Sequence, residues 1–525
     1  MGCFEMLCDM SSPRTADSAI AESVHNNEQS VFLTPRDYTT LYLVAVGGAL
    51  EFYDFVVFAF FVPVIGRIFF PANIPERLGN LEAFAIFGAG YLARPLGGIV
   101  LQYCGSLFGR QRVFAFPILL MTISTCGIAV LPDYASAGIF APFLLLLMRI
   151  LQGAAFGGEV PGAWISIAEH LPLGRIGFAC GIVCGGLSTG MLLGSIAAAV
   201  LNSVLTLSQL ELFGWRLPFL LGGGFGVVAV YLRRWLQETP NFVEMKRTHL
   251  LVEELPLRVI IRQYPSGVII SILLTWVLSA CIVVVSVLNV TVLQTYYRYS
   301  AEDALIANSV GSLLSIFGMV AVGAIVSKVG SGPLLIFGGI FFGITTYAFY
   351  SYVGHSLLSL FALYALMGLS VGIAGVGPYV MIRAFPAAAR FTCISFSYNV
   401  SCAIFGGSTP VIVAWFAQAD AMVYAYYLLF IALLAFCIGV YLLFAGLKVE
   451  HDRGAEEGIG SIHLIGTRFW RLHERLKNIL GTMKRSSTTQ DMNTPLDCIV
   501  GTISQAEICA ASSDLRFQSV SNEAG

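Results

Sequence analysis

Charge is what this chain has least of. Of its 525 residues only 11% are Asp, Glu, Lys or Arg, against 57% hydrophobic. A soluble domain carries about 25% charged residues, so too few are present here to cover a water-facing surface, and lipid is the expected solvent for most of the chain. A formal net charge of −2 argues against a nucleic-acid partner. Catalytic patterns are missing as well. The sequence holds no CxxC, no HExxH and no G-x-x-x-x-G-K-[ST], which speaks against metal-dependent hydrolysis and nucleotide-driven chemistry. No enzyme activity and no cofactor are expected. No apolar run begins before Tyr38, so no signal peptide is read at the start. Met1-Gly2-Cys3 is followed by Met6 where a myristoylation site wants Ser or Thr. Most of the twelve cysteines, among them Cys104, Cys126, Cys180, Cys184 and Cys281, lie in apolar runs and read as small packing residues.

What is present in quantity is long apolar sequence. A helix needs about 20 apolar residues to cross the hydrocarbon core. Such runs fall near 39–63, 81–104, 112–131, 139–165, 176–203, 215–235, 266–296, 303–327, 332–353, 357–382, 390–417 and 423–446. The chain reads as an all-α membrane protein: a cytoplasmic tail (1–37), a six-helix half (38–235), a cytoplasmic loop (236–264), a second six-helix half (265–447) and a cytoplasmic tail (448–525). The even-numbered connections hold most of the basic residues, including Arg110, Arg112, Arg175, Lys246, Lys328 and Arg390; the odd-numbered ones hold Arg67, Arg77, Arg216 and Arg298. The positive-inside rule places the even loops and both termini in the cytoplasm.

The halves are related. Gly153, Pro172 and Arg175 recur about 215 residues later as Gly368, Pro386 and Arg390, and the Gly105 and Gly323 turns are offset by 218. Two repeats joined by a polar cytoplasmic loop is the layout of a rocking transporter.

Several short motifs occur in a telling order. They are Glu51-Phe52-Tyr53-Asp54-Phe55, Ala93-Arg94-Pro95-Leu96-Gly97-Gly98, Arg149-Ile150-Leu151-Gln152-Gly153 with Gly157-Gly158-Glu159, Gly214-Trp215-Arg216-Leu217-Pro218-Phe219, Glu238-Thr239-Pro240, and Tyr398-Asn399 with Phe405-Gly406-Gly407-Ser408-Thr409-Pro410. From about 40 to 446 the chain resembles the metabolite–proton symporters of the major facilitator superfamily, a group that includes proline/glycine betaine, α-ketoglutarate, citrate and shikimate transporters. The resemblance implies twelve helices in two pseudo-symmetric halves and alternating access. Two departures stand out. The loop after the second span usually reads G-D-R-x-G-R-R, but here it is Gly105-Ser106-Leu107-Phe108-Gly109-Arg110-Gln111-Arg112; the loop after the eighth, Ser327-Lys328-Val329-Gly330, also lacks the Asp. Gly105, Gly109, Arg110 and Arg112 are the candidate gating residues, with an altered charge network.

Five ionisable residues lie well inside spans: Glu51, Asp54, Arg94, Arg149 and Glu159. Each costs about 2.5–3.5 kcal/mol or more to place in lipid, so each needs a partner or a water-filled cavity. Glu51 and Asp54 are three apart and share a helix face. Two close carboxylates in low dielectric do not both ionise readily, which suits proton coupling, with Asp54 the principal group and Glu51 its modulator; the rival reading is structural pairing with Arg94 or Arg149. Glu159 is a candidate for a second proton site or for binding a substrate ammonium, the rival being an ion pair with an Arg of a neighbouring span. One of Arg94 and Arg149 is the candidate for the substrate carboxylate, the rival being charge balance. Tyr53, Tyr398 and Asn399 are further candidates for substrate contact, and Trp276 is an aromatic face that could meet a quaternary ammonium.

Ile465, Phe469, Leu472, Leu476, Ile479 and Met483, interleaved with basic residues, suggest an amphipathic helix at about 464–484 on the inner membrane surface, with a short coiled coil as the alternative. The expected function is proton-coupled import of a small zwitterionic or carboxylated metabolite into the cell by a monomer in a bacterial inner membrane, driven by the proton gradient. Proline or glycine betaine is the first expectation and a di- or tricarboxylate the second. The alternative is a transporter-like receptor without net transport.

Overall fold

The computed structural model describes residues 33–71, 73–108, 110–233, 263–417, 420 and 422–444, with no side-chain description at 99–115, 169–170, 173, 233 and 387–388. Among the described residues every regular element is a helix.

Twelve helical segments run back and forth among the described residues. The first half holds α1 (Pro35–Phe60, continued by Val62–Ile68), α2 (Glu76–Phe108), α3 (Arg110–Ala129), α4 (Phe140–Phe156, continued by Glu159–His170), α5 (Ile176–Val204) and α6 (Arg216–Arg233). The second holds α7 (Pro265–Ala280, continued to Thr295), α8 (Ala301–Val329), α9 (Ser331–Tyr352), α10 (Leu357–Ser370, continued by Val376–Ala384), α11 (Ala387–Ser401, continued by Gly407–Phe416) and α12 (Val423–Phe444). Nine are long and apolar enough to cross a bilayer, and α6 joins them when taken with Leu207–Gly214, from which it is bent by 42°. In α3 the apolar stretch is the shorter Phe116–Ala129, and α2 is a 33-residue helix with Pro95 inside it. The outward faces carry bare Leu, Ile, Val and Phe, as a lipid-facing surface does.

Local chemistry sets the ends and breaks. Thr34 caps α1 reciprocally with Asp37 and Pro35 takes the first turn, so the orphan amides there are satisfied. Pro63 has no N–H to give, and the span is interrupted at Phe61. In α4, Pro161 cannot donate to the carbonyl of Gly157, and the helix breaks at Gly157–Gly158. Pro378 stands two residues beyond the corresponding place in α10, after the tightened turn Val371–Gly375.

The repeat is visible in the packing. A Cβ on Gly153 of α4 would collide with the carbonyl of Gly90 of α2, and one on Gly368 of α10 with the carbonyl of Gly311 of α8. Both pairs therefore cross with backbones in contact, which only small residues allow. The crossings relate α2 to α8 by 221 positions rather than by the 218 that separates Gly105 from Gly323; Gly323, expected from sequence in a turn, lies inside α8, which runs on to Val329. The repeat is in register at the packing glycines.

The halves touch along α5 and α8. Near the start of α5 a Cβ on Gly323 would lie 2.6 Å from the Gly177 carbonyl; midway Ser188 approaches Met319; towards its end Ser195 donates to the Leu305 carbonyl at 2.9 Å and Asn308 donates to Ser195 at 3.0 Å.

Candidate functional site

The centre of the first half is organised around α1. Arg149 and Gln152, one turn apart on α4, reach across to its backbone. Arg149 Nη1 donates to the carbonyl of Phe55 at 3.1 Å and also to the side-chain oxygen of Gln152. Gln152 Nε2 donates to the carbonyl of Asp54 and to Thr125 Oγ1 of α3, both at 2.8 Å. Both side chains are fully buried. This clamp fixes the rotation of α1 and sends neighbouring side chains to opposite sides.

Asp54 goes to one side. It is 1% exposed, and its Oδ1 has no hydrogen-bond partner. It lies against Gly222 of α6, where a Cβ would collide with that oxygen and lie 3.1 Å from Thr125. Glu51, one turn earlier, is 5% exposed and is the charged neighbour of Asp54. Asp54 therefore sits in a small-residue niche between α1, α3 and α6, with Glu51 one turn away on the same helix. Tyr53 turns away, its hydroxyl donating to the Pro218 carbonyl at 3.0 Å and its ring edge-on to Phe225.

Phe55 goes to the other side, between two cations. The Arg94 guanidinium carbon is 4.3 Å from its ring centre and that of Arg149 is 4.7 Å away, so the cations are no more than about 9 Å apart. Arg94 also lies 4.0 Å from the ring of Tyr91 and 4.6 Å from that of Phe156. Arg149 lies 4.6 Å from Phe58 and 5.1 Å from Phe87. Nε and Nη2 of both arginines lack hydrogen-bond partners. Among the described residues, Arg67 forms salt bridges with Glu76 and with Glu211. The pairing of Asp54 with Arg94 or Arg149, weighed from sequence, is not among them.

The second half contributes Tyr398 and Asn399 of α11. Tyr398 is a hydrogen-bonding neighbour of Arg94 and packs edge-on against Trp164, with ring centres 5.3 Å apart. Asn399 Nδ2 donates to the Gly157 carbonyl at 2.5 Å and to that of Ser395 at 2.9 Å. It supplies the donor that Pro161 withholds and ties α11 to α4 at the break. Glu159, 6% exposed, opens the following helical segment, where the helix dipole favours an anion. Trp276 stacks on Phe405 at 3.8 Å and donates to Tyr427 at 2.9 Å, so it is packed rather than facing a site. Gly105, Gly109, Arg110 and Arg112, and the tail helix at 464–484, lie outside the residues or side chains described. No group of three metal-ligating side chains occurs among the described residues.

A model of the Major Facilitator Superfamily matches residues 44–407. The chain belongs to the major facilitator superfamily. Among curated relatives, it is 32% identical over 415 residues to the glycine betaine/proline/ectoine/pipecolic acid transporter OusA of Dickeya dadantii, covering 76% of this chain and 81% of that one. It is 31% identical over 415 residues to the proline/betaine transporter of Salmonella typhimurium, covering 75% and 81%. Among solved structures, the partially occluded inward-open form of the xylose transporter XylE from E. coli aligns with a TM-score of 0.63 at 16% identity, over 80% of this chain and all of that one. The proton:xylose symporter XylE bound to 6-bromo-6-deoxy-D-glucose aligns with a TM-score of 0.64 at 17% identity, over 78% and 95%. This is a multi-pass membrane transporter with the superfamily's two-half helical layout, and it acts on a small molecule.

Sequence reasoning missed the aromatic surroundings of Arg94. One signal was available: Tyr91 precedes Arg94 by three residues, so the two share a helix face. Phe55 and Phe156 come from other helices, and no local pattern reveals them.

Proposed function

We propose that the protein is a proton-coupled symporter that imports a small zwitterionic solute of the proline or glycine betaine type by alternating access. The carrying observation is Asp54: a fully buried carboxylate, one turn from Glu51, with an oxygen that has no hydrogen-bond partner and lies against Gly222. Holding acidic side chains in a membrane protein core is costly, and loading and releasing a proton is the use that repays that cost. Asp54 is the coupling group, Glu51 tunes it, and Glu159 at the α4 break is the second proton site. Arg94 and Arg149 receive the carboxylate of the solute through N–H groups that have no partner, and Tyr398 with Asn399 communicates occupancy to the second half. The names of the curated relatives support the solute class.

The protein works as a monomer in a bacterial inner membrane, with both termini and the 236–264 loop in the cytoplasm, the gate formed around Gly105, Gly109, Arg110 and Arg112, and the proton gradient as energy source. The test is uptake into proteoliposomes with an imposed pH gradient, using labelled proline, glycine betaine, α-ketoglutarate and citrate. Concentrative uptake of proline or betaine that collapses with a protonophore is expected. Uptake of the dicarboxylate alone overturns the zwitterion assignment, and uptake insensitive to the protonophore overturns proton coupling.

A further inference from the structure

We infer that the guanidinium of Arg94 occupies the cation site of this transporter, standing in for the quaternary ammonium of its solute, and that the two exchange places during binding. The inference rests on the zwitterion reading above and adds where each end of the solute goes.

Three aromatic faces from three helices, Phe55 of α1, Tyr91 of α2 and Phe156 of α4, converge on one cationic carbon at 4.3, 4.0 and 4.6 Å. Such an enclosure is the general recognition element for quaternary ammonium groups, which have no N–H to donate and are held through ring faces alone. A guanidinium is a poor permanent tenant. It carries five N–H donors in a fixed fork, and here Nε and Nη2 are buried without an acceptor, a penalty of the kind that protein interiors seldom tolerate. The cage satisfies the charge of Arg94, and Tyr398 meets part of its hydrogen-bonding capacity, but Nε and Nη2 stay unused. A second cation, Arg149, lies 4.7 Å from the same Phe55 ring with two unused donor atoms of its own.

A zwitterion resolves both defects. Its ammonium displaces the guanidinium from the rings, and its carboxylate gives the displaced guanidinium the bidentate acceptor that it lacked. The cage holds a single positive charge before and after, so no net charge enters it. A dicarboxylate has nothing to place among the rings, and a sugar has no charge for either position. Because Tyr398 of α11 is a neighbour of Arg94, the displacement is felt directly by the second half.

The experiment is calorimetric titration of the full-length protein in nanodiscs with glycine betaine and with tetramethylammonium, which is the cation without the carboxylate. In the native protein tetramethylammonium binds weakly, because it evicts Arg94 without offering it an acceptor. In Arg94→Ala the rings are vacant, so tetramethylammonium binds about tenfold more tightly while glycine betaine, deprived of its carboxylate partner, binds about tenfold more weakly. These changes of opposite sign are the expected result. A merely structural role for Arg94 moves both ligands the same way, and that outcome overturns the exchange. Phe156→Leu keeps the apolar volume and removes one ring; it weakens both ligands, and unchanged betaine binding there also overturns it. The two levels separate cleanly. Failure of the native protein to accumulate betaine or proline refutes the zwitterion reading, whereas accumulation with same-sign effects in Arg94→Ala refutes the exchange alone.

Discussion

The two halves share a scaffold and differ in what they bury. Gly90–Gly153 and Gly311–Gly368 cross in the same way, and α4 and α10 both break ahead of a proline, Pro161 and Pro378. Where the first half places the charges of Arg149 and Arg94, the second has neutral residues. Arg149 corresponds to Tyr364, 215 positions on, and both reach the backbone of their half's first helix: Arg149 the carbonyl of Phe55, Tyr364 that of Val285 at 2.5 Å. Gln152 corresponds to Met367, and Arg94, by the glycine crossings, to Ser315. Around Tyr364 the second half builds a neutral network, with its hydroxyl also donating to Asn308 at 2.8 Å and Tyr350 bonding Asn289. One architecture thus serves twice, once around buried ionisable groups and once around hydroxyls and amides. Under the proposed function the chemistry belongs to the first half.

Paired substitutions test that contrast, beginning with the largest effect. Arg149→Met removes two hydrogen bonds from a buried cation, each worth about 1.5–3 kcal/mol, and Tyr364→Phe removes neutral ones worth about 1–3 kcal/mol in total. Thermal unfolding of the purified protein should rank Arg149→Met well below Tyr364→Phe, and equal losses would erase the distinction. Arg94→Lys keeps the charge but loses the planar fork; it should raise the KM for uptake about tenfold or more, whereas Ser315→Ala changes it less than twofold. Gly153→Ala and Gly368→Ala should lower thermal stability to a similar degree, by about 1–3 kcal/mol of overpacking, because packing is where the halves agree.

The smallest effect lies in the outer connections. Asp133 caps a short helix through the amide of Ser136 at 2.8 Å, and its bond with the Ser136 hydroxyl holds its carboxyl below the usual carboxylate range. Its contribution is therefore complete above the ordinary carboxylate pKa and is lost as pH falls through the lowered one. The corresponding cap in the second half, Ser356 on the amide of Ser359 at 3.1 Å, has no such dependence. Acid titration of Asp133→Asn against the native protein should show a slight loss of pH sensitivity, and Ser356→Ala none.

Much of this was legible in the sequence, for identifiable reasons. Lipid forces every backbone group into a helix, so apolar run length alone places most spans. Buried charges are costly enough to stand out, and Glu51, Asp54, Arg94, Arg149 and Glu159 are all buried, as their places inside the apolar runs imply. What each charge faces was not readable. The acceptors of Arg149 and Gln152 are backbone carbonyls of α1, which every residue has and no motif marks. Tyr53 and Asp54 are adjacent, yet only the rotation of α1 shows that Tyr53 is committed to Pro218. Asn399 could be partly foreseen, since Pro161 leaves the Gly157 carbonyl without its helical donor, but the helix that supplies the donor is 242 residues away. Trp276 looked available until the stacking of Phe405 upon it was seen.

The account's central claim is that the first half couples solute movement to protons through Asp54. The most direct measurement compares two assays of Asp54→Asn in proteoliposomes: counterflow exchange of labelled glycine betaine without a gradient, and accumulation driven by an imposed pH gradient. The account predicts that exchange survives while accumulation falls to the equilibrium level. Accumulation at the native level in this variant would contradict it.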